Sequence, residues 1–418
     1  MTRRLDPAAV QQLLAGVDAA DAAYAVAWPG RPTGRQPVQV LYVPADQITP
    51  TTTSDAGRTA SDLVDRFAPD VARFADLTGL GSHAVAGRVH QQVITKLRDE
   101  PVEDLRIDFE DGYLGRSEEQ EDADARAAAG ALAAAIDQGI APPFFGLRVK
   151  SFSDGLARRS VATLDRFLGT LLDNAGQLPP GFVITFPKIV SVDHVKAFVD
   201  VLAALEQANG LAEGALGFEA QIETTASVLG PDGVVALRGI RQAGAGRLRA
   251  CHFGVFDYTA ALGLPAEGQR LDHPGCDLAR HLMQITFAGT EVMLSDGSTN
   301  VRPANDSIEE LHRVWRSHAA HVRHSLAHGF TQGWDLHPSH LVSRYATVFA
   351  HLLSGLDGVI DRLAAWQEGQ SSAAAIERPT SGIMDEPATI TVLTRHLQRA
   401  VDCGAISQAQ VDHRFGRD

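Results

Sequence analysis

Eight short apolar runs separated by helical patterns constrain this chain more than any other feature. They lie at 38–43, 105–109, 145–149, 182–187, 217–222, 249–255, 291–295 and 333–337. Short strand-like runs alternating with longer amphipathic stretches are the signature of repeated βα units, whose crossover helices cover a parallel sheet. Helical patterns at Glu118–Ile136, Arg159–Asn174, His194–Ala208, Cys276–Ala288 and Ser307–His328 fill the intervals. Each interval is one βα unit long except the first, which must carry an insertion. Eight units predict an α/β fold, a closed (β/α)8 TIM barrel. The rival, an open doubly wound sheet, needs a glycine-rich turn after an early strand. Tyr42-Val43-Pro44-Ala45-Asp46 is not one, and Gly244-Ala245-Gly246 precedes a strand instead of following one.

Around this barrel the chain divides into three parts. Residues 1–37 read as an N-terminal helical appendage, its helix opened by Asp6 and Pro7. Residues 38–355 form the catalytic barrel, with an insertion at about 50–100 that includes a helix from Thr59 to Leu77. Residues 356–418 form a C-terminal helical lid or oligomer arm. There a flexible link from Glu368 to Ala375 leads through Pro379–Pro387 to a last helix, Thr389 to Val401.

Composition narrows the function. The formal net charge is -14, which argues against nucleic acid and anionic membrane surfaces as partners. No apolar stretch is long enough to cross a bilayer, and the N-terminus lacks the apolar core of a secretory signal. Cys251, Cys276 and Cys403 have no metal-ligand spacing and suit a reducing, cytoplasmic setting.

In a TIM barrel, chemistry sits at the C-terminal ends of the strands. Reading off those ends gives Glu110 and Asp111, Arg148, Lys188, Glu223, Asp257, Asp296 and His337. Along 217–223 the side chains alternate, so Glu219, Gln221 and Glu223 share the face turned to the barrel interior. Buried like-charged carboxylates are costly unless paired or bound to a cation. Glu223 and Asp257, on neighbouring strand ends, therefore suit one Mg²⁺ or Mn²⁺ completed by water and substrate oxygens. Either acid alone is equally well explained as the cap of the helix that follows. Arg148 offers a planar fork to a substrate carboxylate, or pairs with Glu110 or Asp111. Asp108 and Glu110 share a face and could hold metal-bound water or Arg148. Lys188 could be a Schiff-base lysine, although the acid pair suits a metal-stabilised enolate better. His337 would orient groups over the site or carry a proton, or be a satisfied structural histidine. On the helix before it, His321, His324 and His328 fall on one face at spacings able to bind zinc. No acidic or thiol ligand completes that set in the sequence, so the favoured reading is an exposed outer helix.

These residues resemble the citrate lyase beta-subunit-like (HpcH/HpaI aldolase) family of the phosphoenolpyruvate/pyruvate barrel superfamily. The resemblance runs, in family order, through Leu41–Ala45, Ile107–Asp111, Leu147–Val149, Phe186–Val190, Gln221–Thr224, Phe253–Asp257, Gly329–Pro338 and Gly382–Pro387. It implies Mg²⁺ on Glu223 and Asp257 and Arg148 gripping the carboxylate of a 2-oxo acid; Glu110 and Lys188, at neighbouring strand ends, are further candidates for binding the substrate. It implies carbon–carbon bond cleavage or formation through a metal-bound enolate, on free hydroxy or 2-oxo acids or on CoA thioesters, by a homo-oligomer. The base is left open between His337, Asp111 and a metal-bound hydroxide. Gly112-Tyr113 and Lys150 depart from the family pattern and put the substrate in question more than the metal. A malyl-CoA thioesterase or malate synthase-like condensing enzyme is the alternative; a silent barrel serving as a subunit or binding module is a further one.

Overall fold

The computed structural model describes residues 4–32, 34–80, 84–305, 307–371 and 386–415. Eight parallel strands form its centre: β1 (Gln39–Pro44), β2 (Asp104–Asp108), β3 (Phe144–Arg148), β4 (Phe182–Phe186), β5 (Phe218–Ile222), β6 (Leu248–Phe253), β7 (Met293–Ser295) and β8 (Gly333–Asp335). Neighbours pair in sequence order, and β1 pairs with β8. A parallel bridge from Ser295 to Gln332 brings β7 to β8 and closes the ring. The fold is the (β/α)8 barrel that the alternation predicts.

Outward-facing strand residues such as Leu41, Ile107, Leu147, Ile184 and Ile222 are buried against the helix layer in one continuous apolar core. The inward face is polar instead. Arg106 is fully buried and bonds Asp104, Val183 O and, at 3.2 Å, Glu219. The approach is open because residue 146 is glycine: a Cβ there would lie 2.6 Å from Arg106 Nη1. His252 accepts from the Trp334 indole and places Nε2 3.1 Å from Glu219, inside ion-pair distance but off hydrogen-bond angle. Burial pushes Asp104 up to about 6 despite Arg106. Against the same burial, Arg106 and His252 hold Glu219 down to about 2. Above this layer Tyr42 stacks on Trp334, and the Arg148 guanidinium lies 5.1 Å from the Tyr42 ring centre. A charged, internally paired lumen thus supports the C-terminal rim.

The insertion is three helices, Thr52–Phe67, Val71–Thr78 and Ala86–Asp99, in place of the single helix expected. Pro69 breaks the first, and Asp70 restarts the chain by accepting from Arg73 N. Their apolar faces (Leu63, Phe74, Val89, Val93) join the main core and pack on the helices Ile308–Ala327 and Ser339–Leu353. The N-terminal helix Pro7–Ala27 buries none of its residues; contact with the barrel begins at its end, where Arg241 bonds Ala27 O. The last long helix, Pro387–Asp402, lines a cavity of about 330 Å³ with Gln36, Val292 and Phe330, all near the N-terminal ends of strands. The link from 372 and the block Gly382–Asp385 lie outside the described residues. Among those residues no helix is long and apolar enough to cross a membrane.

Candidate active site

Arg148 is the last residue of β3, and Glu110, Asp111, Lys188 and Glu223 follow their strands by one to three residues. Asp257 stands differently from expectation. β6 ends at Phe253, and Val255–Ala261 is a short helix with Asp257 in its first turn. Its apolar start, Val255 and Phe256, reads as strand in sequence but belongs to this helix.

Six of the eight rim candidates meet in one network. Arg148 forks onto Asp108 through Nε (2.7 Å) and Nη2 (2.6 Å), and its Nη1 faces Glu110 (3.1 Å) and Asp111 (3.7 Å). Asp108 also accepts from Glu110 N and Gly112 N. The departure at Gly112 has a steric reason, since a Cβ there would lie 2.6 Å from Asp108 Oδ2. Lys150, the other departure, donates to Phe109 O at 2.7 Å and so holds the same turn. Lys188 Nζ bonds Glu110, donates to Asp111 at 2.8 Å and lies 3.5 Å from Asp257. Desolvation would lower the Lys188 pKa, but Glu110 and Glu223 raise it above the usual lysine value, so this amine is an ammonium. That charge state argues against a Schiff-base role.

Glu223 is buried, 2% exposed, and does not cap the next helix; Thr224 does that. Its Oε1 accepts from Lys188 N at 2.8 Å. Lys188 holds a left-handed backbone, φ 47°, to aim that N–H, a strain of the sort found at functional sites. Burial, with Glu110 and Asp257 adding repulsion, pushes Glu223 up to about 8. Burial also raises Glu110, whereas Arg148 and Lys188 hold Asp111 below its usual value in spite of desolvation. A buried acid this uncomfortable as an anion, beside a second acid and pressed against Gly254, fits a hard cation ligated by carboxylate oxygens. Glu223 and Asp257 would be the two protein ligands.

The other two rim residues stand outside this network. Asp296 is buried and paired with Arg280. His337, two residues past β8, is tethered to Ser339, with Nδ1 2.8 Å from the hydroxyl and accepting from Ser339 N at 3.2 Å. The outer histidines overturn the expectation of an exposed helix: His321 is buried, and Asp277 from the neighbouring helix supplies the acid that His324 and His328 lacked.

A sequence-family model described as "Domain of unknown function (DUF6986)" matches residues 17–418, and the chain belongs to that family. No curated protein matches the sequence. Among solved structures, a citrate lyase from Burkholderia xenovorans LB400 is similar at 20% identity and TM-score 0.56, covering 78% of this chain and 91% of its own. Haloferax volcanii malate synthase with magnesium and glyoxylate is similar at 13% identity and TM-score 0.51, covering 88% and 99%. The same enzyme in its native form gives 14% identity and TM-score 0.51. These likenesses are likenesses of fold; both relatives are named as enzymes.

Proposed function

We propose that this family member is a divalent-metal-dependent carbon–carbon lyase acting on a small hydroxy or 2-oxo acid, free or as its CoA thioester. The observation that carries the reading is Glu223: a buried carboxylate beside Asp257, with Lys188 and Arg148 as cations at the ends of the next two strands, β4 and β3. Placement among the citrate lyase beta-subunit-like enzymes, a cytoplasmic setting and a homo-oligomeric state belong to the same proposal. The named relatives support it, one being a citrate lyase and one a malate synthase in complex with magnesium and glyoxylate.

Mg²⁺ or Mn²⁺ held by Glu223 and Asp257 would supply Lewis acidity that offsets the charge of an enolate oxygen. The remaining chemistry falls to side chains. Arg148 is fixed by Asp108 through two nitrogens, which leaves Nη1 for the substrate carboxylate in exchange for Glu110. Lys188 holds positive charge beside the same position, so a dianionic substrate is attracted and oriented. Glu110 and Asp111 hold Lys188 in place. Proton transfer falls to Asp111, ionised and exposed, or to His337 just past the end of β8.

A thioester-hydrolysing or condensing enzyme, malyl-CoA thioesterase or malate synthase-like, would use the same rim and break or form a different bond. The test incubates the protein with a panel of hydroxy acids, 2-oxo acids and their CoA thioesters, with Mg²⁺ or with EDTA, and identifies products by mass spectrometry. Release of a 2-oxo acid or aldehyde fragment supports the lyase. Free CoA without carbon–carbon cleavage supports the alternative. Turnover undiminished by EDTA contradicts both, and no turnover or binding across the panel favours a silent barrel.

A further inference from the structure

Away from the rim, two neighbouring helices bring imidazoles and a carboxylate together. Asp277 and His281 are four residues apart on the helix Pro274–Phe287; His324 and His328 are four apart at the end of Ile308–Ala327. Such pairs share a helix face. His324 Nε2 lies 2.9 Å from Asp277 Oδ1, and His328 Nε2 lies 3.6 Å from the same oxygen. The potential ligand atoms of Asp277, His324 and His328 all fall within 4.8 Å of one another. The His281 ring centre lies 5.6 Å from that of His328.

The position of one proton decides what this cluster can hold. His328 Nδ1 lies 2.9 Å from His324 O, and a carbonyl oxygen can only accept. In the Nδ1–H tautomer that this bond selects, the Nε2 lone pair turns towards Asp277. In that tautomer two acceptors face each other across 3.6 Å, an arrangement that a bound cation would bridge. Tying the far nitrogen to a carbonyl is also how proteins orient a metal-ligating histidine. Arg280 Nη1 donates to Asp277 Oδ1 at 2.7 Å and competes for that oxygen. Its Nε is held by Asp296, however, and among the described residues no hydrogen bond falls on Asp277 Oδ2. The other such group, His318, Asp335 and His340, is closed: Arg344 bonds both Asp335 oxygens, and His340 Nε2 bonds Val301 O.

We propose that Asp277, His324 and His328 form a transition-metal site of the zinc type, with His281 in reach as a fourth ligand. Two imidazoles and one carboxylate are a zinc donor set, unlike the all-oxygen set proposed at the rim. The three ligand side chains are 22–24% exposed, so the ion has access from solvent. A bound ion would clamp the two helices to each other.

The test uses chelator-stripped full-length protein titrated with Co²⁺ and with Zn²⁺. Wild type is compared with Glu223→Gln/Asp257→Asn, which removes the rim acids, and with His324→Gln/His328→Gln. The rim variant is expected to bind one Co²⁺ with the visible bands of a four-coordinate nitrogen and oxygen site, wild type to show the same bands in addition to any ion at the rim, and both to gain Tm with Zn²⁺. The histidine variant is expected to lose the bands and at least about tenfold in affinity. Asp277→Asn serves in its place if circular dichroism shows that the histidine variant misfolds. Equal binding by wild type and the helix variants, or no ion bound by the rim variant, overturns the proposal.

Discussion

A Cβ built on Gly254 would fall 2.2 Å from Glu223 Oε2 and 2.4 Å from Glu223 Cβ. The backbone at 254 is ordinary, φ -101°, so the demand for glycine there is one of space. Gly254→Ala is therefore expected to displace the Glu223 carboxylate at a cost of about 1–3 kcal/mol from overpacking. Metal affinity should fall together with turnover while the far-ultraviolet circular dichroism is unchanged. Wild-type metal affinity in this variant would count against the role given to Glu223.

Asp108 and Asp111 are three residues apart and differ in kind. Asp108 is buried and accepts four hydrogen bonds, two of them from Arg148. Its replacement by alanine strips the buried Arg148 guanidinium of its two-nitrogen partner and leaves it only Glu110 and Asp111, and should cost about 3 kcal/mol in chemical denaturation. Asp111 is 52% exposed at its side chain, and Asp111→Asn should cost about 1 kcal/mol or less. Its effect is expected in kcat/KM instead.

Lys188 is held as an ammonium by Glu110 and Asp111. Borohydride added during turnover with pyruvate, oxaloacetate or glyoxylate should leave the protein mass unchanged, because an ammonium does not form a Schiff base. A reduced adduct on Lys188 would redirect the mechanism from metal to imine chemistry.

Much of this was readable in the sequence, for physical reasons. Buried parallel strands must be apolar on the helix-facing side, and βα units have a characteristic length, so the eight runs stood out. Glu223, Arg148 and Lys188 were legible because an ionisable residue at the exit of an apolar strand is unusual. The start of the helix holding Asp257 was not, since Val255 and Phe256 resume the apolar character of β6 directly past Gly254. The paired lumen of Asp104, Arg106, Glu219 and His252 left a trace as polar residues at alternate strand positions. Which of them pair depends on strand register across the barrel. Asp277 could not be assigned to His324 and His328 because the two helices meet only in three dimensions.

The burial of Glu223 has a pH signature. Its pKa is about 8 in the folded chain against an ordinary 4.5, so the folded state holds the extra proton between those values. The stability that the protonated acid allows is present below pH 4.5 and lost as pH rises through 8, on the order of 3–5 kcal/mol in the metal-free protein. Glu223→Gln lacks this loss. Its Tm advantage over wild type should be small near pH 5 and grow towards pH 9, and saturating Mg²⁺ should raise Tm for wild type alone. A difference that does not change with pH would mean that Glu223 is not held as described.

The most direct measurement of the central claim is an electron paramagnetic resonance titration of Mn²⁺ with and without pyruvate, oxaloacetate or glyoxylate. Wild type is expected to bind one ion that shows oxygen ligands, with affinity increased by at least one of these acids. Glu223→Gln/Asp257→Asn should lose that ion and Arg148→Met only the enhancement. An ion bound equally well by the double variant, or no oxygen-ligated ion in wild type, would contradict the assignment of Glu223 and Asp257 as its ligands.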